Sequence, residues 1–482
     1  MKGNYIYNIL YRLSICILPL IITPFSARVL GSEGVGLYSF SSAVACYFIM
    51  FGRLGLEHYG NRTIAVVRSD PEKLRRTFWS IYAMQCMTSV ASCLVYVAVI
   101  HIAFPGDILV YWMQGLYVLS ALFDVSWYFY GTEQFRITTL RSLLIRGLII
   151  AGMFLFVHTK DDLWIYTLIM SACFLLEQLL LLPFLLRQLR PVRVTWREIA
   201  VHFKPNLKLF LPLAALSIYN WMDKLMLGVI SGNEPVAYYN YADSIINLPK
   251  GIVAALGTVM LPRLARLAEK KDVAACRVTL RKSMGFISMV CCVLCFGIAG
   301  VAPVFVPLFL GPGYEETVRL TIYLALVMIP MSVIDVIQMQ YLVPFGKERV
   351  YIRSVALGAV VNLILNGLFI PPMAAMGAVI GTFGAQLAVC GYQLYHIRDV
   401  YPTRSLWKAL TPFFLCGAAE FAVAYALGSL PLAPAVTLII QVAAGGCVYI
   451  AGAAAVILFW RKDLREMFSL FGGKKEPPVP KT

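Results

Sequence analysis

Apolar residues gather along this chain into fourteen long stretches, divided by short polar gaps that carry nearly all of the charge. A helix needs about 20 apolar residues to cross the hydrocarbon core of a bilayer, and there it satisfies its own backbone hydrogen bonds. The pattern predicts spans at Ile9–Val29, Leu37–Gly60, Phe78–Phe104, Ile108–Tyr130, Leu143–Val157, Leu163–Leu186 and Leu207–Ile230. Seven more follow at Val236–Leu261, Met284–Leu310, Val318–Phe345, Val350–Ile370, Ala374–His396, Leu406–Leu430 and Ala433–Trp460. The fold expected is an all-α integral membrane protein.

The basic residues give the orientation. Of the 41 Lys and Arg, 34 lie before the first span, after the last, or in alternate gaps and within about four residues of them, whereas the opposite membrane face carries only Arg28, Lys160 and Arg319 at or near its gaps. The positive-inside rule then places both termini in the cytoplasm of a plasma membrane. The same partition requires an even number of crossings near fourteen.

Composition narrows the class further. With 60% hydrophobic and 14% charged residues, the 482-residue chain has too little polar surface to coat a soluble globule. Its net charge of +16 sits in short juxtamembrane loops such as 187–208 and 263–282, which suit anionic lipid headgroups and not nucleic acid. The first apolar segment lacks a small-residue cleavage site and runs straight into the next, so it reads as a retained helix. Nearly all of the twelve cysteines fall within spans, with Cys276 expected in a cytoplasmic loop, and free thiols are expected throughout. Cys291, Cys292 and Cys295 lie mid-helix without His or acidic companions, so they read as small apolar packing. No metal site, redox site or cofactor is expected.

An internal repeat organises the chain. A shift of 201 residues lays Gly31, Glu33, Val35 and Tyr38 on Gly232, Glu234, Val236 and Tyr239. A shift of 215 lays Tyr130, Gly131 and Glu133 on Phe345, Gly346 and Glu348. Together these predict a six-helix bundle over 1–190, a cytoplasmic linker over 191–206, a second six-helix bundle over 207–397, two added helices over 398–471 and a disordered tail over 472–482. Since six is even, the pseudo-symmetric halves enter the membrane in the same direction and are related by an axis along its normal. Two such bundles would enclose a cleft that opens to either side.

The run with Arg28, Leu30, Gly31, Gly34, Gly36 and Tyr38, the segment Asp223–Leu227 followed by Tyr239, and the turn Gly346, Lys347, Glu348 resemble polysaccharide flippases of the multidrug/oligosaccharidyl-lipid/polysaccharide (MOP) superfamily. The resemblance covers the whole chain and implies a V-shaped transporter. It also implies export of an undecaprenyl-diphosphate-linked oligosaccharide to the outer leaflet of a bacterial plasma membrane, through a cationic cleft that receives the diphosphate.

Charges inside the spans are the candidate site residues, because each costs at least about 2.5 kcal/mol near the bilayer centre and must face protein or water. Arg12, Arg53, Lys224 and Lys250 are the candidates for the diphosphate. Arg53 and Glu57, four residues apart, are expected to share a helical face, as either a neutralised pair or part of a site. Asp223 and Lys224 are adjacent and point about 100° apart, while Asp243 and Lys250 lie two turns apart on a common face. Glu57, Asp124, Glu177, Asp223, Asp243 and Asp335 are candidate cavity acids for a coupling proton or sodium ion, and Glu420 falls outside both repeats. Asn220, Asn240 and Gln340 are the polar candidates for sugar contact.

The reading is a flippase working by alternating access, with no catalytic residue. Its partners are the lipid-linked glycan, membrane lipids, a proton or sodium ion, and contacting polymerases or glycosyltransferases, and a monomer is expected. A cation antiporter of the same superfamily would favour an acid-lined cavity. A polytopic glycosyltransferase or polymerase would need catalytic groups on a substantial loop or domain, and the outer gaps are short.

Overall fold

A computed structural model describes the backbone of residues 2–247, 249–251 and 273–459, together with the side chains of these residues except 2–17, 211–213, 215–220 and 273–274. The described chain is helical, with no strand among its described residues. Among the described residues, eleven helical stretches are long and apolar enough to cross a membrane, and the first, Leu18–Val67, covers part of the expected span Ile9–Val29 and all of Leu37–Gly60.

The helices are α1 (Lys2–Arg53), α2 (Leu56–Val67), α3 (Pro71–Ala103), α4 (Ile108–Phe123), α5 (Ser126–Gly131), α6 (Phe135–Phe156), α7 (Leu163–Leu179), α8 (Leu182–Gln188) and α9 (Trp196–Ser231). After α10 (233–247) come α11 (Val273–Leu310), α12 (Glu315–Ile337), α13 (Glu348–Met373), α14 (Ala375–His396), α15 (Thr403–Leu427) and α16 (Pro434–Phe459), with a π-helical turn at Gln338–Leu342. The chain divides into two compact units, Met1–Asn240 and Tyr241–Thr482.

Several helices begin well before the expected spans, and local capping explains where. At the start of α3, Asp70 accepts the N–H groups of Glu72 and Lys73, and Pro71 opens the helix where a backbone donor is not needed. At the start of α9, Thr195 and Glu198 form a reciprocal capping box, with Glu198 Oε2 2.6 Å from Thr195 N and 2.8 Å from Thr195 Oγ1. Of the stretch 191–206, only 191–195 is non-helical. Cys276, expected in a loop, is instead fully buried on α11 beside Leu280 and Met284.

In the first unit, α1 packs on α3, α4 and α6, α4 packs on α7, and α9 packs on α1, α2 and α3. One core joins α2, α3, α5 and α8 around Phe78 and Trp127, whose rings stack at 5.0 Å. Gly60 makes room for Trp127, since a Cβ there would stand 2.6 Å from the indole. In the second unit, α13 packs on α14, and α11 packs on α12, α15 and α16.

The repeat is visible in backbone conformation. Gly31 and Gly232 share a left-handed φ with an extended ψ, at 72° and 178° and at 86° and −174°. The second echo needs a corrected register. Glu133 (φ 60°) corresponds to Gly346 (φ 65°), and the following amides of Gln134 and Lys347 reach back to the carbonyls of Phe129 and Leu342, each at 2.8 Å. The structural shift is therefore 213 and not 215, because the position requiring positive φ sets the turn and the neighbouring Gly does not.

Candidate functional site

The intramembrane charges of the first unit are built around two breaks in the helices. Helix α1 ends at Arg53 because Leu54 and Gly55 turn left-handed, with φ of 45° and 78°. The expected common face of Arg53 and Glu57 is therefore absent: Glu57 lies on α2 and is exposed. Arg53 instead turns its Nε to Asp124 Oδ2 at 3.2 Å, with the two side chains 29% and 10% exposed.

Asp124 is held in the extended link between α4 and α5. It accepts the backbone N–H of Ser126 at 3.0 Å and also the Ser126 hydroxyl. Its own carbonyl accepts from Gln85 Nε2 at 2.9 Å and from Trp127 Nε1 at 3.0 Å. The acid is thus held beside Arg53, in the paired state that a carboxylate at this depth requires.

On α9 the adjacent Asp223 and Lys224 diverge as their spacing implies, and each engages α10. Buried Asp223 accepts the Tyr239 hydroxyl at 2.6 Å. Lys224 Nζ donates to Asn240 Oδ1 at 2.7 Å, which ties an expected sugar contact to an expected diphosphate contact. Trp221, just before them, meets Tyr47 of α1 edge to face at 6.0 Å. Cys46 of α1 lies within electrostatic reach of both Lys224 and Arg53, so these two cations border one region of the first unit.

Glu177 belongs to a different cluster. On α7 it receives Arg141 Nη2 at 3.1 Å and the Ser142 hydroxyl at 2.6 Å, both from α6. Arg141, which the sequence places among the gap charges, is 9% exposed and within the helix. No spacing rule links positions 36 residues apart on two helices, so the pairing carries no sequence signal.

In the second unit, Lys250 Nζ donates to Asn247 Oδ1 at 3.0 Å and stands 3.8 Å from Asp243 Oδ1. Asp335, on the last turn of α12, lies within electrostatic reach of Lys250. Gln340 is buried within the π-helical turn, and its Oε1 makes no hydrogen bond among the described residues. The side chains of Arg12 and Asn220 lie outside the described residues.

Outside the spans, His202 near the start of α9 meets the Tyr59 hydroxyl with its Nδ1 at 2.7 Å, joining α9 to α2. Burial lowers its imidazole pKa and favours the neutral ring.

The model of a family described as polysaccharide biosynthesis protein matches residues 1–268. Two relatives carry the name "Putative O-antigen transporter". That of Escherichia coli (strain K12) is 23% identical over 404 residues, spanning 83% of this chain and 97% of the relative. That of Shigella dysenteriae is 20% identical over 405 residues, spanning 83% and 100%. Among solved structures, the inward closed conformation of the lipid II flippase MurJ superposes with a TM-score of 0.78 at 15% identity, covering 95% of this chain and 99% of that one. An inward-facing multidrug resistance MATE transporter of the MOP superfamily gives 0.61 at 14% identity, covering 83% and 95%. These likenesses show the fold, an all-helical arrangement like those of MurJ and that MATE transporter.

Proposed function

Because this chain belongs to the polysaccharide biosynthesis protein family, we propose that it is a flippase that moves an undecaprenyl-diphosphate-linked oligosaccharide from the cytoplasmic to the outer leaflet of a bacterial plasma membrane by alternating access. One observation carries the reading: Arg53, in the membrane-spanning stretch Leu18–Val67, and Lys224, on α9, both lie within electrostatic reach of Cys46. Asp124 offsets the charge of Arg53 in the resting pair, and a diphosphate would accept charge-assisted hydrogen bonds from both cations. Arg12, at the start of α1, is assigned to the same headgroup. Lys250, with Asp243 and Asp335 near it, is assigned to a later contact in the second unit.

The acids Asp124 and Glu177 are each matched to an arginine. That commitment favours an anionic cargo over the cationic drugs of an antiporter. Names of the relatives point the same way, being a transporter of O-antigen and a flippase of lipid II.

The test reads the leaflet exposure of the carrier-linked glycan in cells. Arg53→Ala combined with Asp124→Asn removes the cation without stranding its acid, and glycan export is expected to fall. Arg53→Lys is expected to retain part of the flux, since it keeps the charge and loses the fork geometry. Wild-type export from a normally expressed double variant would remove Arg53 from the mechanism.

A further inference from the structure

A cavity of about 630 Å³ opens in the second unit between the start of α11 and the first three turns of α15. One end is basic and polar, with Arg281 of α11 facing Arg404, Ser405 and Lys408 of α15. The other end is formed by Pro412 and Leu415. Arg404, Lys408, Thr411 and Leu415 recur at helical spacing, so the change from basic to apolar runs along one face of α15, over about 16 Å at ~1.5 Å per residue.

The three cations at the polar end are available. Arg281, Arg404 and Lys408 make no ion pair or hydrogen bond among the described residues. Other basic residues nearby are engaged: Arg277 Nη2 donates to the Asp399 carbonyl at 2.7 Å, and Arg398 lies over the Tyr395 ring at 4.5 Å. The Arg277 bond fixes the start of α11 to the turn before α15, so the basic walls are preformed. Helix α15 also begins there, after Pro402, without a side-chain cap. Trp407 and Leu415 are each 62% exposed, as expected where a site opens sideways into lipid.

We infer that this cavity holds the phosphate headgroup of an anionic glycerophospholipid drawn from the surrounding leaflet. Its size exceeds that of a lone phosphate, and its apolar end gives an acyl chain a continuation that a free anion lacks. The same chemistry would also accept inorganic phosphate, so the two sources are separated by experiment. The inference does not depend on the proposed cargo.

The test is native mass spectrometry of the purified full-length chain titrated with phosphatidylglycerol or with phosphatidylcholine of identical acyl chains. Wild type is expected to retain phosphatidylglycerol at roughly tenfold lower lipid concentration, given three cations at the headgroup. R281Q/R404Q/K408Q is expected to lose the preference, whereas the charge-keeping R281K/R404K/K408R and the control R187Q/R190Q/R193Q keep it. Equal retention of the two lipids by wild type overturns the proposal, as does equal loss of preference in the control. Displacement of phosphatidylglycerol by millimolar inorganic phosphate overturns the lipid as occupant and leaves a site for the free anion.

Discussion

Gly36 and Asn233 meet so closely that a Cβ on Gly36 would stand 1.9 Å from the Asn233 carbonyl oxygen. They belong to the two repeat-related turns that begin at Gly31 and Gly232, and those turns pack directly on one another. Ser32 Oγ donates to Glu234 Oε1 at 3.0 Å, and Gly228 makes way for the Phe40 ring. Since the Asn233 oxygen belongs to backbone, an added side chain cannot be relieved by a rotamer change. Gly36→Val is therefore expected to lower stability by about 1–3 kcal/mol and to reduce glycan export. Thermal melts of the purified protein check this against Gly147→Ala, where nothing lies within 4 Å of the added atom. That control should shift stability by less than about 1 kcal/mol.

The Arg53 and Asp124 pair predicts a non-additive double mutant. Asp124→Ala strands a partly buried guanidinium and also removes the acceptor of the Ser126 N–H. Breaking one side of such a pair costs about 3 kcal/mol, whereas removing both leaves no uncompensated charge. Asp124→Ala alone is expected to melt lower than Arg53→Met/Asp124→Ala. Additive losses would mean that the two groups do not interact.

Much of the fold is legible in the sequence because apolar length and charge asymmetry act locally along the chain. The spans at Ile108, Ala374 and Leu406 fall on α4, α14 and α15, and the Gly31 echo marks a conformation that L residues rarely adopt. Charge partners are another matter. The break at Leu54–Gly55 lies inside the expected span Leu37–Gly60, where a lone Gly is tolerated in a helix, so the pattern does not separate Arg53 from Glu57. Arg141 with Glu177, and Lys224 with Asn240, are paired by helix packing across the unit, which no spacing along one helix encodes. Basic residues counted as loop charges, including Arg281, Arg404 and Lys408, proved to line a cavity because α11 and α15 extend beyond their apolar segments.

Asp70 predicts an acid-sensitive start to α3. Chiefly the Lys73 backbone N–H at 3.1 Å, and then the Lys73 ammonium, hold its carboxyl below the ordinary value of 3.8. A carboxyl with a depressed folded pKa adds stability that is complete above the unfolded value and lost as the pH falls through the folded one. The melting difference between wild type and Asp70→Ala should be present at pH 7 and shrink below about pH 4. A difference independent of pH would assign the effect to backbone geometry and not to the ionised cap.

Glu420 is 4% exposed on α15, where α11 and α16 close around it. A Cβ on Gly297 of α11 would lie 2.9 Å from Glu420 Oε1, and one on Gly445 of α16 would lie 3.4 Å from its Cγ. Oε2 has no hydrogen-bond partner among the described residues. An ionised carboxylate enclosed in this way would cost several kcal/mol, about 3 or more, without any compensating contact. Glu420→Gln keeps the volume and a carbonyl oxygen while removing the charge, so it is expected to melt at or above wild type and to export glycan normally. Glu420→Lys, which places a longer cation against two glycine-lined helices, should fail to accumulate. Melts and export measured side by side separate packing from chemistry: a stable Glu420→Gln protein that no longer exports would show that transport uses the carboxylate's proton.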